Sequence, residues 1–241
     1  MNDKTAGSRE EADSDQRFQS WVDRIRLIQR ETAHLFSNRK MFRLVVRMFE
    51  TNPELRRAGD HVWWWLAGLY GRDAVMGIRR ELDGQAGVLN LYHLLHEMEK
   101  HAHVLTRGRY EAHTRILASL APEYIDAQFQ QFGGPPGPGT SKDHVSPQAI
   151  ARDRDSLRRD TAAAFDYAQR LVAHRTPIGE LQLTLREVDG ALQAVYECLR
   201  KYYGFLTASM LAAATPVPQY DLVAPFRIPW VTAEFRIPDD D

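Results

Sequence analysis

The chain has 241 residues, 44% hydrophobic and 26% charged, a balance that suits one globular domain with decorations, or two small ones. Its net charge of −1 excludes a whole-chain polycation, so any affinity for nucleic acid must come from a local patch. The single cysteine, Cys198, excludes a disulfide within the chain and points to a reducing compartment. No apolar run approaches the roughly 20 residues of a membrane span. The first fifteen residues lack the apolar core of a signal peptide, so a cytoplasmic, non-membrane protein is expected.

Residues 1–15 are polar and acidic and are expected to be disordered. From Gln16 to Phe49 the apolar residues recur at helical spacing, first Trp21, Ile25, Ile28 and Leu35, then Phe42, Val45, Val46 and Phe49. The span from Arg17 to Arg57 holds ten Lys or Arg against four acids. That excess fits a solvated helix face or an anionic partner. Arginine outnumbers lysine 26 to five over the whole chain. Its planar fork suits phosphate or carboxylate, although a GC-rich genome gives the same bias.

Asn52-Pro53 opens a second helix expected to reach Leu82, ended by Gly84 and Gly87. A third helix follows Asn90, and a fourth spans Tyr110 to Phe129. Residues 132–146, rich in Gly and Pro, read as a long flexible loop. Ser146-Pro147 opens a helix reaching about His174. Thr184 and Glu187 form a capping box for the last helix, whose ladder is Val188, Leu192, Val195, Leu199, Tyr202, Leu206 and Ser209. Residues 215–241 carry five prolines and are expected to form an extended arm that lays Phe226, Trp230 and Phe235 on the bundle or on a partner. The fold class is therefore all-α: a helical bundle over 16–214, with the disordered segment before it and the arm after it.

Two places can carry chemistry. The second helix has a stripe of Val62, Leu66, Leu69, Asp73, Met76, Arg80 and Asp83. Read as core-facing, it turns charged toward its end, so Asp73, Arg80 and Asp83 form a buried ion network or line a pocket. Arg79 and Asp83 are also spaced for a helical salt bridge. The second place is Arg170 to His174, four apart on one face. A histidine there can take a proton from a ribose 2′-hydroxyl, and a neighbouring arginine can hold the phosphate. The same pair can instead complement a helix C-terminus.

Weaker signals are also present. His93, His96, His101 and His103 cluster with Glu97 and Glu99, without a recognisable zinc spacing. Trp63-Trp64-Trp65 covers nearly all sides of a helix, so at least one ring must leave the core. Cys198 reads as core packing.

Three segments together resemble the HEPN-domain superfamily, in its branch linked to phage abortive infection. They are Ile78-Arg79-Arg80-Glu81-Leu82-Asp83 at a helix end, Asn90-Leu91 opening the next helix, and Arg170-Leu171-Val172-Ala173-His174-Arg175 before a capped final helix. The likeness covers roughly residues 20–210. It implies an α-helical bundle, commonly dimeric, acting on RNA as a metal-independent endoribonuclease in a defence or toxin–antitoxin system, with no cofactor. His174, Arg170, Arg80 and Asp83 then stand as catalytic candidates, and Arg79, Asp73, Gln169 and Arg175 as substrate-binding ones. The family hallmark is an Arg, four to six residues, then a His. Aligned on Ala173-His174, Ala168 and Gln169 stand where the Arg and a polar residue usually stand. Literal matches occur at Arg56 to His61 and Arg107 to His113, outside that context. The alternative is a non-catalytic module that binds RNA, a nucleotide or a protein, or a scaffold in a defence complex.

Overall fold

The computed structural model describes residues 3–85, 87–114, 122–136, 140, 142–173, 182–209, 211, 213–214 and 221–229. Among these the fold is an all-α bundle of eight helices with no strand. They are α1 (Asp3–Thr51), α2 (Pro53–Ala58), α3 (Asp60–Leu82), α4 (Leu91–Lys100), α5 (Arg107–Thr114), α6 (Pro122–Gln131), α7 (Pro147–Tyr167) and α8 (Leu185–Thr207). A π-helical segment, Ala168–Ala173, continues α7.

The core forms where α8 packs against α1, α3 and α7. Val188, Leu192, Val195, Leu199, Tyr202 and Leu206 are all buried, as the ladder requires. The capping box at Thr184 and Glu187 forms, and the helix ends at Thr207 before Ala208 turns left-handed at φ 50°. Ser209, the last rung expected, lies beyond that end and is exposed. Helix α4 contributes Leu91, Leu94, Leu95 and Met98, each with no accessible surface. Burying one such side chain is worth about 1.5–3 kcal/mol, so this short helix is held by packing more than by propensity.

Several boundaries differ from those expected. Residues 3–15 are helical: α1 begins at Asp3. Alanines and glutamates support a helix there, and Arg109 reaches back to pair with Asp15. The helix expected over 53–82 breaks at Gly59, where a Cβ would run into the Leu55 carbonyl and the Phe49 ring. Of the helix expected over 110–129, the described residues hold α5 and α6, with Pro122 at the start of α6, and residues 115–121 lie outside the described residues.

The loop 132–146, expected to be flexible, is closed at both ends. Ser146 N–H donates to the Gly133 carbonyl at 2.9 Å and Val145 N–H to Leu105 at 3.0 Å. Phe132 and Val145 are buried, and Phe132 meets Phe205 edge-on at 4.9 Å. Of the arm, Ala224–Arg227 is a 3₁₀ turn with Phe226 half exposed. Trp230 and Phe235 lie outside the described residues. No described helix is long and apolar enough to cross a membrane.

Candidate functional site

The last turn of α3 and the π segment come together at one end of the bundle. Arg79 Nε donates to Gln169 Oε1 at 2.8 Å. This bond joins two residues expected to bind substrate, ninety positions apart in sequence. Arg170, the next residue in the π segment, is exposed, and no ion pair engages it among the described residues. A π segment shifts the register of the side chains that follow it, and such segments occur often at functional sites. His174 and Arg175 follow it in sequence and lie outside the described residues.

The other site residues each take a separate partner. Arg80 pairs with Glu31 of α1 at 3.0 Å, both side chains more than half exposed. Asp83 holds the α3–α4 turn. Its carboxylate accepts from Gln85 N–H at 3.0 Å, and its carbonyl accepts from Asn90 Nδ2 at 2.8 Å. Asn90 in turn caps α4 through His93 N–H. Asp73 is exposed and accepts from Asn38 Nδ2 at 2.9 Å. It stands ten residues before Asp83, about 15 Å along the helix axis, so it is not part of the Arg79–Gln169 cluster.

The stripe of Asp73, Arg80 and Asp83 therefore does not face the core, and no buried network links the three. Tyr70, Ala74, Val75, Ile78, Glu81 and Leu82 are the buried side chains of α3. The stripe from Leu66 to Asp73 instead lines a shallow groove of about 260 Å³ between α3 and α1, with Met41 and Val45 opposite. The inward face mixes large residues, Tyr70, Val75, Ile78 and Leu82, with Ala74 and Gly77, which weigh little in a hydrophobic ladder. At Gly77 the Leu35 side chain comes so close that no Cβ fits without movement.

Glu81 lies inside the motif, yet its role was not read from the sequence. It is 3% exposed. Its carboxylate accepts the Leu91 N–H at 3.1 Å, at the start of α4. Burial pushes its carboxyl up to about 7, against smaller lowering effects from the Leu91 bond and Arg80. Its spacing from Ala74 and Ile78 was the available signal. Ala168, at the position where the resemblance would put an arginine, is fully buried in the core.

A second polar centre ties α1, α3 and α8. Asp189 forms an ion pair with Arg39 at 2.8 Å and accepts from Arg43 at 2.7 Å and from the Tyr70 hydroxyl at 3.2 Å. Burial, and then the adjacent Asp189 charge, hold the Tyr70 hydroxyl well above its ordinary range. The histidine cluster behaves differently. Glu97 bonds Arg24 and Trp21, and Glu99 pairs with Arg154. Among the described residues no three potential metal ligands come together.

The literal Arg-to-His matches are accounted for by packing. Arg107 is buried, paired with Asp126 and 4.8 Å over the Phe129 ring. Arg56 and His61 stand on opposite sides of the Gly59 break. Cys198 is a free thiol whose pKa is raised by burial. No protein-family model, no curated protein and no solved structure matches the chain.

Proposed function

We propose that this chain is an RNA-directed module of the HEPN type in a phage-defence or toxin–antitoxin system. In this reading it works as a metal-independent endoribonuclease at the α3 end of the bundle. The observation that carries this reading is the Arg79–Gln169 bond, which sets Arg79 beside the segment that carries Arg170 and leads to His174. His174 takes the proton of a ribose 2′-hydroxyl, and the 2′-oxygen attacks the adjacent phosphorus. The 5′-oxygen leaves and takes a proton from solvent, to which His174 returns the one it took, giving a 2′,3′-cyclic phosphate and a 5′-hydroxyl. Arg170 and Arg80 hold the phosphate charge. Arg80 is free to do so because an exposed pair such as Arg80–Glu31 is worth only about 0–1 kcal/mol. Asp83 keeps α3 and α4 in register. The setting that goes with this reading is the cytoplasm, with a homodimer or a partner protein.

One observation favours a second reading, a non-catalytic RNA-binding module: Ala168 is buried where the family's arginine usually stands. Purified protein incubated with total RNA in a chelator, wild type beside His174→Ala, separates the two. Cyclic-phosphate ends that vanish in His174→Ala support the enzyme. RNA bound in a salt-dependent way but left intact selects the second reading. Absence of binding at low salt overturns both.

A further inference from the structure

The exposed face of α3's first half is unlike the rest of the bundle. Trp64 and Trp65 are 72% and 62% exposed, and Val62 and Leu69 about half. Trp63 alone of the three turns inward, stacking on Phe42 at 5.8 Å. His61, Trp65, Gly68 and Arg72 follow one another at spacings of four, three and four, so they form one outward stripe. Gly68 is exposed, and a Cβ built on it would meet nothing within 4 Å. A bare glycine inside a helix is a liability relative to alanine, and two exposed indoles beside it compound that.

We infer that this face is the contact between two copies of the chain, packed α3 against α3 antiparallel about a twofold axis. The stripe carries both halves of a fit. Trp65 is a knob. Gly68, Leu69 and Arg72, three, four and seven residues on, form a hole with an open floor, an apolar wall and a guanidinium. An antiparallel twofold pair with its axis between Trp65 and Gly68 places each Trp65 over the partner's hole. The indole then lies on the Gly68 backbone, and Arg72 stacks on the ring face. Arg72 makes no ion pair among the described residues, so it is available for that contact.

An isologous contact requires knob and hole on the same surface, whereas an unrelated partner would need only one of them. Trp64 and Trp65 of both copies, at roughly 150–250 Å² per fully buried indole and about two-thirds exposed in the single chain, supply about half of the ~1,000 Å² that a specific pair needs. The inference stands apart from the proposed activity and uses none of its residues.

Light scattering on the full chain across a concentration series tests it. Wild type should run as a dimer at micromolar concentration. Trp65→Ser removes two symmetry-related knobs and should weaken pairing by roughly a thousandfold, about thirtyfold per copy. Gly68→Val fills the floor of the hole and should weaken it too. Both sites are exposed, so circular dichroism should be unchanged. A wild-type chain that stays monomeric at about 100 μM overturns the inference. So does a dimer that survives both substitutions, or one lost only when residues 230–241 are removed.

Discussion

Arg79 of α3 donates its Nε–H to Gln169 across the junction between α3 and the π segment. Gln169→Leu keeps the bulk and removes the acceptor. Leaving a half-buried guanidinium donor unsatisfied should cost about 1–2 kcal/mol and lower Tm by roughly 2–6 °C. Arg79→Lys should cost a similar amount, because an ammonium cannot reproduce the planar Nε donor. Thermal melts of the two variants and of the double variant check this. Additive losses would mean that the bond does not couple the elements.

Glu81 should give the fold a defined pH dependence. Its folded value of about 7 lies above the ordinary 4.5. The folded chain therefore keeps a proton that the unfolded chain releases between those values. Its contribution is full below pH 4.5 and is lost as pH rises through 7. Glu81→Gln keeps an acceptor for Leu91 N–H and removes the charge. Urea melts should show wild type losing roughly 1–3 kcal/mol more than the variant between pH 4.5 and 8. Parallel pH profiles would show that the carboxylate is not held in this way.

Asp189 faces three side chains from two other helices, two arginines and the Tyr70 hydroxyl. Asp189→Asn removes the charge that Arg39 and Arg43 face, and should destabilise by about 1.5–3 kcal/mol, less than a fully buried pair because Asp189 is partly exposed. Tyr70→Phe should cost about 1 kcal/mol. The two changes share a partner, so denaturant titration of the double variant should give less than the sum.

Thr184→Ala opens the capping box of α8. The Glu187 N–H loses its acceptor and the hydroxyl's bond to the Glu187 carboxylate goes with it, while the backbone N–H of residue 184 keeps that carboxylate. A loss of about 1 kcal/mol, or 2–4 °C in Tm, is expected. Calorimetry checks it, and Thr184→Ser should restore most of the loss.

That capping box was legible in the sequence, and so was the whole of α8, because one ladder of large apolar residues fits one phase. Helix α3 was not legible in the same way. It carries Trp, Leu and Val on its outer side, while its inner side interrupts Tyr70, Val75, Ile78 and Leu82 with Ala74, Gly77 and Glu81. Counting hydrophobic bulk therefore selected the outer stripe of Val62, Leu66 and Leu69. The inner phase depends on Leu35 pressing against Gly77, a contact forty residues away in sequence. Glu81 was hidden for a related reason: what makes a carboxylate tolerable there is the Leu91 N–H at the start of the next helix. The Arg79–Gln169 meeting required the π segment, which no local pattern announces.

Helix α1 runs for 49 residues, about 73 Å at the usual rise. A compact chain of 241 residues has a radius of gyration near ~18 Å and so a diameter of about 45 Å. The rod is longer than the body it supports, and the particle must be drawn out along it. Its frictional drag will exceed that of a sphere of equal mass. A monomer will then elute from a sizing column early enough to be mistaken for a pair. Mass, not elution volume, has to decide how many chains travel together.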